Sequence, residues 1–134
     1  MKNKNWAIIL FSAVFLSLIF QLTLFFVNPE VLVFNDKFGL GLFGSNSLAI
    51  FVLFTALLLL IYLFFISSNI SIWALVMIFS GVISNLFDRI FRGSAVDYIS
   101  IAHWPTFNLA DISIVTGILL LLFNFIFSRK PKNR

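Results

Sequence analysis

Four runs of about 20 apolar residues, almost free of charge, decide what this chain can become, because a helix needs about that length to cross the hydrocarbon of a bilayer. Trp6 to Val27 holds no charged residue and a lone Gln21, Asn46 to Ile66 is uncharged, and residues 70–87 and 107–128 follow, the last interrupted only by Asp111. Composition agrees: 61% of the residues are hydrophobic and 10% are charged, where a soluble domain carries about 25% charge. A water-soluble domain of 134 residues could not hide that much apolar surface, since soluble monomers rarely expose large apolar patches. A soluble enzyme, a nucleic-acid-binding module and a disordered linker are thereby excluded. Cysteine is absent, which removes disulfides, thiolate nucleophiles and Cys-ligated metals together.

The expected fold is an all-α membrane protein, one domain over 1–134, with four transmembrane helices at 6–27, 46–66, 70–87 and 107–128 and outer segments at 28–45 and 88–106. The first span is read as retained. Its apolar run is longer than that of a secretory signal, and no A-x-A-like site follows it. Ser67-Ser68-Asn69 is short enough to impose an antiparallel hairpin on spans two and three. An even number of spans puts both termini on one side. Lys2 and Lys4 at one end, and Arg129, Lys130, Lys132 and Arg134 at the other, mark that side as cytoplasmic. Glu30, Asp36, Asp88, Asp97 and Asp111 then all fall on or just inside the opposite, outer face. Charge inside a span is costly and usually functional, and clustering at one depth near the boundary argues against a proton or ion pathway through the midplane. The first outer segment reads as short strands, Val31 to Phe34, then a turn at Asn35-Asp36-Lys37, then a glycine-interrupted strand over 38–44. Trp104 suits an interfacial belt, and His103 beside it is read as interfacial too.

The polar residues concentrate in one stretch. Span three ends Gly81-Val82-Ile83-Ser84-Asn85-Leu86-Phe87-Asp88-Arg89, then comes Val96-Asp97-Tyr98, then Phe107-Asn108-Leu109-Ala110-Asp111 opens span four. Asn85, Asp88 and Arg89 lie three and four residues apart and so share a helical face. This pattern resembles the bacterial lipoprotein signal peptidase family (signal peptidase II), aspartic endopeptidases of the inner membrane. That family shows a Gly, then Asn-x-x-Asp-Arg, then Val-x-Asp-Phe or a near variant, then Phe-Asn-x-Ala-Asp. The motifs cover about a quarter of the chain, and the layout of four spans with two outer segments extends the likeness to full length.

The resemblance implies a fold and a function. Members cut diacylglyceryl-modified prolipoproteins just before the lipidated Cys and release the signal peptide. Their catalytic pair maps onto Asp97 and Asp111. Asn85, Arg89 and Asn108 map as polar supports, Arg89 also helping to position substrate, and Gly81 and Asp88 belong to the same motif set. Partners are then the prolipoprotein substrates and membrane lipid, with no nucleic acid. No cofactor and no metal are expected, and a monomer suffices because one chain supplies both carboxylates. The chemistry is consistent: two carboxylates sharing a site cannot both ionise easily, so one activates water while the other donates to the scissile carbonyl.

Some positions depart from the pattern. The family's first span carries Asp-Gln-x-Ser/Thr-Lys, and here Gln21 and Thr23 match while Phe20 and Leu24 replace the Asp and the Lys. Its outer segment shows Asn-x-Gly-x-x-Phe, which Asn35 meets only with a shift, and Ser84 precedes Asn85 where Gly is common. The competing reading is therefore a catalytically inactive member that binds signal peptides or lipids. Bland roles are set beside the sharp ones. Asp111 is also a residue that a first helical turn capped by Asn108 favours. Asp97 is also a loop carboxylate. Asn85 and Arg89 are also an interfacial helix-end pair, and Asp88 is expected to be structural, pairing with backbone or Arg92. Gln21 is expected to bond between helices. Ser80, Gly81 and Ser84 form a small-residue face for close helix approach, where a Leu at Gly81 is expected to displace Asn85 and Arg89.

Overall fold

The computed structural model describes residues 6–37, 44–66 and 71–127. Four helices are long and apolar enough to cross a membrane: α1 (Trp6–Thr23), α2 (Asn46–Ile66), α3 (Ile72–Phe91) and α4 (Leu109–Phe127). Two three-residue strands, β1 (Val33–Asn35) and β2 (Ala95–Asp97), complete the architecture of an all-α membrane protein with a small sheet.

The helices are not equivalent. In α3, 72% of the most apolar stretch is buried, against 17% in each of the other three. α3 is therefore the axis of the bundle. α1, α2 and α4 each pack on it, α1 and α4 meet only lightly, and among the described residues no Cα of α2 comes within 8 Å of one in α4. This matches the sequence, because α3 carries the small and polar residues while the others carry exposed Phe, Leu and Ile that face lipid. In lipid, apolar mass gives helices no reason to associate, so close packing and a few hydrogen bonds decide the contacts. The small face is divided between two neighbours. Gly81 lies so close to α4 that a Cβ there would collide with the Ala110 carbonyl and the Ile114 side chain. Gly117 on α4 makes the reciprocal approach to Ala74 and Ile78. Ser80 and Ser113 meet at 3.2 Å between the same helices. Ser84 turns the other way, and its Oγ accepts from Gln21 Nε2 of α1 at 3.0 Å.

The boundaries differ from the hydropathy reading. α1 ends at Thr23 and continues only as a 3₁₀ turn over Leu24–Phe26. α3 runs on through Asp88 and Arg89 to Phe91, so these two residues stand on the helix and not in the outer segment. The ladder persists because both side chains find partners, and Gly93, with φ +79°, ends it in the left-handed conformation that glycine adopts freely. The first outer segment also differs. Pro29–Val31 is a 3₁₀ turn, and β1 is displaced to Val33–Asn35. Its partner is β2 in the second outer segment, antiparallel with Val33 opposite Asp97 and Asn35 opposite Ala95. The strand expected at 38–44 and the turn at 67–69 fall, but for Gly44, outside the described residues.

Candidate active site

α4 begins with a reciprocal cap. The Asn108 side-chain Oδ1 accepts from the Asp111 backbone N–H at 3.0 Å, and the Asp111 Oδ2 accepts from the Asn108 backbone N–H at 3.2 Å. This is a capping box with Asp in place of Glu. It holds the Asp111 carboxylate at the helix start, where the dipole favours an anion. Its other oxygen, Oδ1, accepts from Asn85 Nδ2 of α3 at 2.8 Å.

Asp97 arrives from the other side as the last residue of β2. Its Oδ1 accepts from Asn108 Nδ2 at 3.0 Å and its Oδ2 from Asn35 Nδ2 at 3.1 Å. Asn108 Nδ2 also donates to Asn85 Oδ1 at 3.1 Å. Asn108 thus contacts both carboxylates, Asp97 through its side-chain amide and Asp111 through its backbone N–H, and Asn85 completes the link by accepting from Asn108 and donating to Asp111. Among the described residues, every donor on the two Asp side chains is a neutral amide. Burial pushes the Asp97 carboxyl up to about 6; the Asn35 hydrogen bond opposes the shift, the nearby Asp111 adds to it, and Asn108 and Arg89 draw it back.

Arg89 stands one turn above Asn85, yet its guanidinium bonds neither carboxylate. Nη1 donates to Asn46 Oδ1 at 3.1 Å and to the Asn35 carbonyl at 3.3 Å, and Nη2 donates to the Lys37 carbonyl at 2.8 Å. Asn46 Nδ2 returns a bond to the Arg89 carbonyl at 3.1 Å. Arg89 therefore holds the first outer segment, and with it Asn35, over Asp97. Asp88, next along the helix, points away to α1. It pairs with Arg92, which also donates to Gln21 Oε1 at 2.6 Å. Asn85 and Arg89 both face the groove, while Asp88 turns toward α1 and makes the structural pair with Arg92 that was expected of it. The role expected for Gly81 changes as well. It abuts the turn of α4 that carries Asp111, so a larger residue displaces Asp111 before it displaces Asn85.

Below the carboxylates lies a cavity of about 480 Å³. Its walls are Val52, Leu53, Ala56, Leu59 and Leu60 of α2, Ile78 and Val82 of α3, and Ile114, Val115, Ile118 and Leu121 of α4, with Asn35, Asn85, Arg89, Asp97 and Asp111 at its polar end. Because the backbones of α2 and α4 stay apart, it is a groove. From Asp111 to Leu121 the helical rise is about 15 Å, roughly half the hydrocarbon thickness. An apolar segment can enter sideways from lipid and meet two carboxylates at its head.

Two participants go beyond the sequence expectation: Asn35 matches the family's outer-segment Asn only with a shift, and Asn46 is expected only as the first residue of a span. The signal was their type, since an Asn at each end of an apolar outer segment in so nonpolar a chain asks for a buried partner.

The family model described as Signal peptidase (SPase) II matches residues 4–127. A lipoprotein signal peptidase of Chlamydia pneumoniae is 42% identical over 76% of this chain and 66% of its own length. One from Wigglesworthia glossinidia brevipalpis is 37% identical over 67% of this chain and 65% of its own. The chain thus spans just under two thirds of the length of these relatives. A solved structure described as a bacterial membrane enzyme superposes with a TM-score of 0.76 at 23% identity, covering 96% of this chain and 94% of that one. It shares the fold.

Proposed function

Because the chain belongs to the signal peptidase II family, we propose that it is a membrane aspartic endopeptidase that removes the signal peptide from diacylglyceryl-modified prolipoproteins, cutting before the lipidated Cys. The observation that carries this reading is the pair of carboxylates, Asp97 and Asp111, linked through Asn108 and Asn85 at the head of an apolar groove. The substrate's signal helix and its diacylated Cys both reside in the bilayer, and the groove receives such a segment from the side.

In the proposed reaction the pair holds one proton. Asp111, placed in a first helical turn, is suited to the anion. Asp97, raised to about 6, is suited to hold the proton. Asp111 takes a proton from water as the water attacks the scissile carbonyl, and Asp97 donates to the carbonyl oxygen. Collapse of the tetrahedral intermediate passes a proton to the leaving amine and restores the shared proton. The pair titrates as a unit, so its pH limbs belong to both residues. Asn85, Asn108, Asn35 and Arg89 act as positioning residues, the last through the outer segment. The protein is a single-domain monomer of the bacterial inner membrane. Its terminal cations support an orientation with both ends in the cytoplasm and the carboxylates near the outer face.

The test is cleavage by purified protein in lipid of a prolipoprotein with and without its diacylglyceryl group. Cleavage of the lipidated form alone, at the bond before Cys, is expected. Tight binding of the lipidated form without product would instead make this an inactive, substrate-binding member.

A further inference from the structure

The residue after Asp97 makes a chain of hydrogen bonds that the dyad does not use. In extended backbone, neighbours leave opposite faces, so Asp97 reaches the groove while Tyr98 turns back toward α1. The Leu109 backbone N–H donates to the Tyr98 hydroxyl oxygen at 3.3 Å, and that hydroxyl meets Thr23 Oγ1 at 3.1 Å. Thr23 donates its own proton to the Phe20 carbonyl at 2.6 Å. With that proton committed, Thr23 accepts from Tyr98. The polarity of the line is therefore fixed: Leu109 N–H to Tyr98, Tyr98 to Thr23, Thr23 to the Phe20 carbonyl. Each end is a backbone group at a helix terminus, where intrahelical partners run out. Leu109 is the first residue of α4, two before Asp111, and Phe20 lies in the last turn of α1. α1 and α4 otherwise meet only lightly.

We infer that the Tyr98 hydroxyl is a positioning residue of the catalytic site, a latch that ties the Asp111-bearing turn of α4 to the end of α1. One dipeptide then supplies a carboxylate of the dyad and the anchor for the helix that carries the other. The capping box sets the Asp111 side chain relative to its own helix, and the latch sets that helix start relative to the bundle. Phe20 and Leu24, which flank Gln21, give the α1 end no charged side chain with which to do this. The inference rests on the peptidase reading above.

The experiment compares the full chain with Tyr98→Phe, Thr23→Val and the double variant. It measures kcat and KM for the lipidated prolipoprotein and amide hydrogen exchange at Leu109 in lipid. Each single change should lower kcat about tenfold with KM within about twofold, the mark of a misplaced group and not of weaker binding. The double should be no worse than either single, because both break one line. Leu109 should exchange faster in all three, and Thr23→Ser, which keeps the hydroxyl, should restore kcat. Wild-type kcat in Tyr98→Phe, or losses that multiply in the double, overturns the latch. If the unaltered protein cleaves nothing, the peptidase reading fails and exchange decides alone: faster exchange at Leu109 in both singles sustains the latch, and unchanged exchange refutes it. If Thr23→Val does not fold, Tyr98→Phe, which removes one oxygen, and Thr23→Ser carry the comparison.

Discussion

α3 presents two buried polar settings on opposite sides, and they are built from different materials. Toward α1, Asp88 pairs with Arg92, which also holds Gln21. Toward the groove, among the described residues, Asp97 and Asp111 receive only amides, from Asn35, Asn85, Asn108 and a backbone N–H. The nearest cation, Arg89, is occupied with carbonyls of the outer segment and with Asn46. A carboxylate that fastens two helices is served by a fixed opposite charge. A pair that must hold one proton and exchange it is served by neutral donors, which orient the oxygens without pinning their charge state. On the proposed reading, the difference separates the acids of the chemistry from the acid of the architecture.

Several changes break or sharpen that contrast. Replacing Asn108 with Ala removes the side-chain bonds to Asp97 and Asn85 and the cap of α4, and kcat is expected to fall about 100-fold or more. Gly81→Ala is expected to lower kcat about tenfold, since its methyl would strike the α4 backbone beside Asp111. Gly117→Ala makes a similar collision lower in the bundle and should cost stability, about 1–3 kcal/mol, more than turnover. Thermal unfolding and kinetics on the two variants separate these effects. Arg89→Lys keeps the charge but loses the planar fork that reaches two carbonyls and Asn46 at once. A several-fold loss of kcat/KM is expected from the slackened outer segment, and full activity would show that Arg89 does not act through it.

The pH dependence is expected of the Asp97–Asp111 pair as a unit. Asp97 is raised to about 6, so the singly protonated pair that the reaction requires is lost as pH rises through that region. The kcat/KM of the free protein should fall above about pH 6, tenfold per unit. Bound substrate excludes water from the groove and raises the burial cost of the charge, so the corresponding limb of kcat should lie higher. Coincident limbs would show that substrate does not cover Asp97. The rear setting gives the smallest effect. Arg92→Gln should cost about 1 kcal/mol of stability, because the Arg92 side chain is one-third exposed and its pair is screened, and should leave the groove chemistry nearly intact.

What the sequence disclosed follows from what local pattern encodes. The spans were legible from charge-free length, and the dyad candidates from an ordered motif set in a chain with five acids. The capping role of Asn108 was legible because Asn before a helix start has a local mechanism. The split of the α3 end was not fully legible. The apolar span was bounded at 87 because hydropathy falls there, yet partners for Asp88 and Arg89 let the helix continue to Phe91. The β1–β2 pairing joins residues about 60 apart, and three-residue strands carry no periodicity from which to read a partner. Asn35 was hidden for the same reason, since its role exists only once β1 lies on β2. The Tyr98 line depends on three segments meeting and leaves no local trace.

The central claim is that Asp97 and Asp111 form one proton-sharing pair while Asp88 does not. The most direct measurement is the turnover of lipidated prolipoprotein by Asp97→Asn, Asp111→Asn and Asp88→Asn, each shown to fold in lipid. The account predicts that the first two each lose at least about 1,000-fold in kcat, and that the third stays within about tenfold of the unaltered protein. Normal turnover in either of the first two variants, or an equal loss in all three, would contradict it.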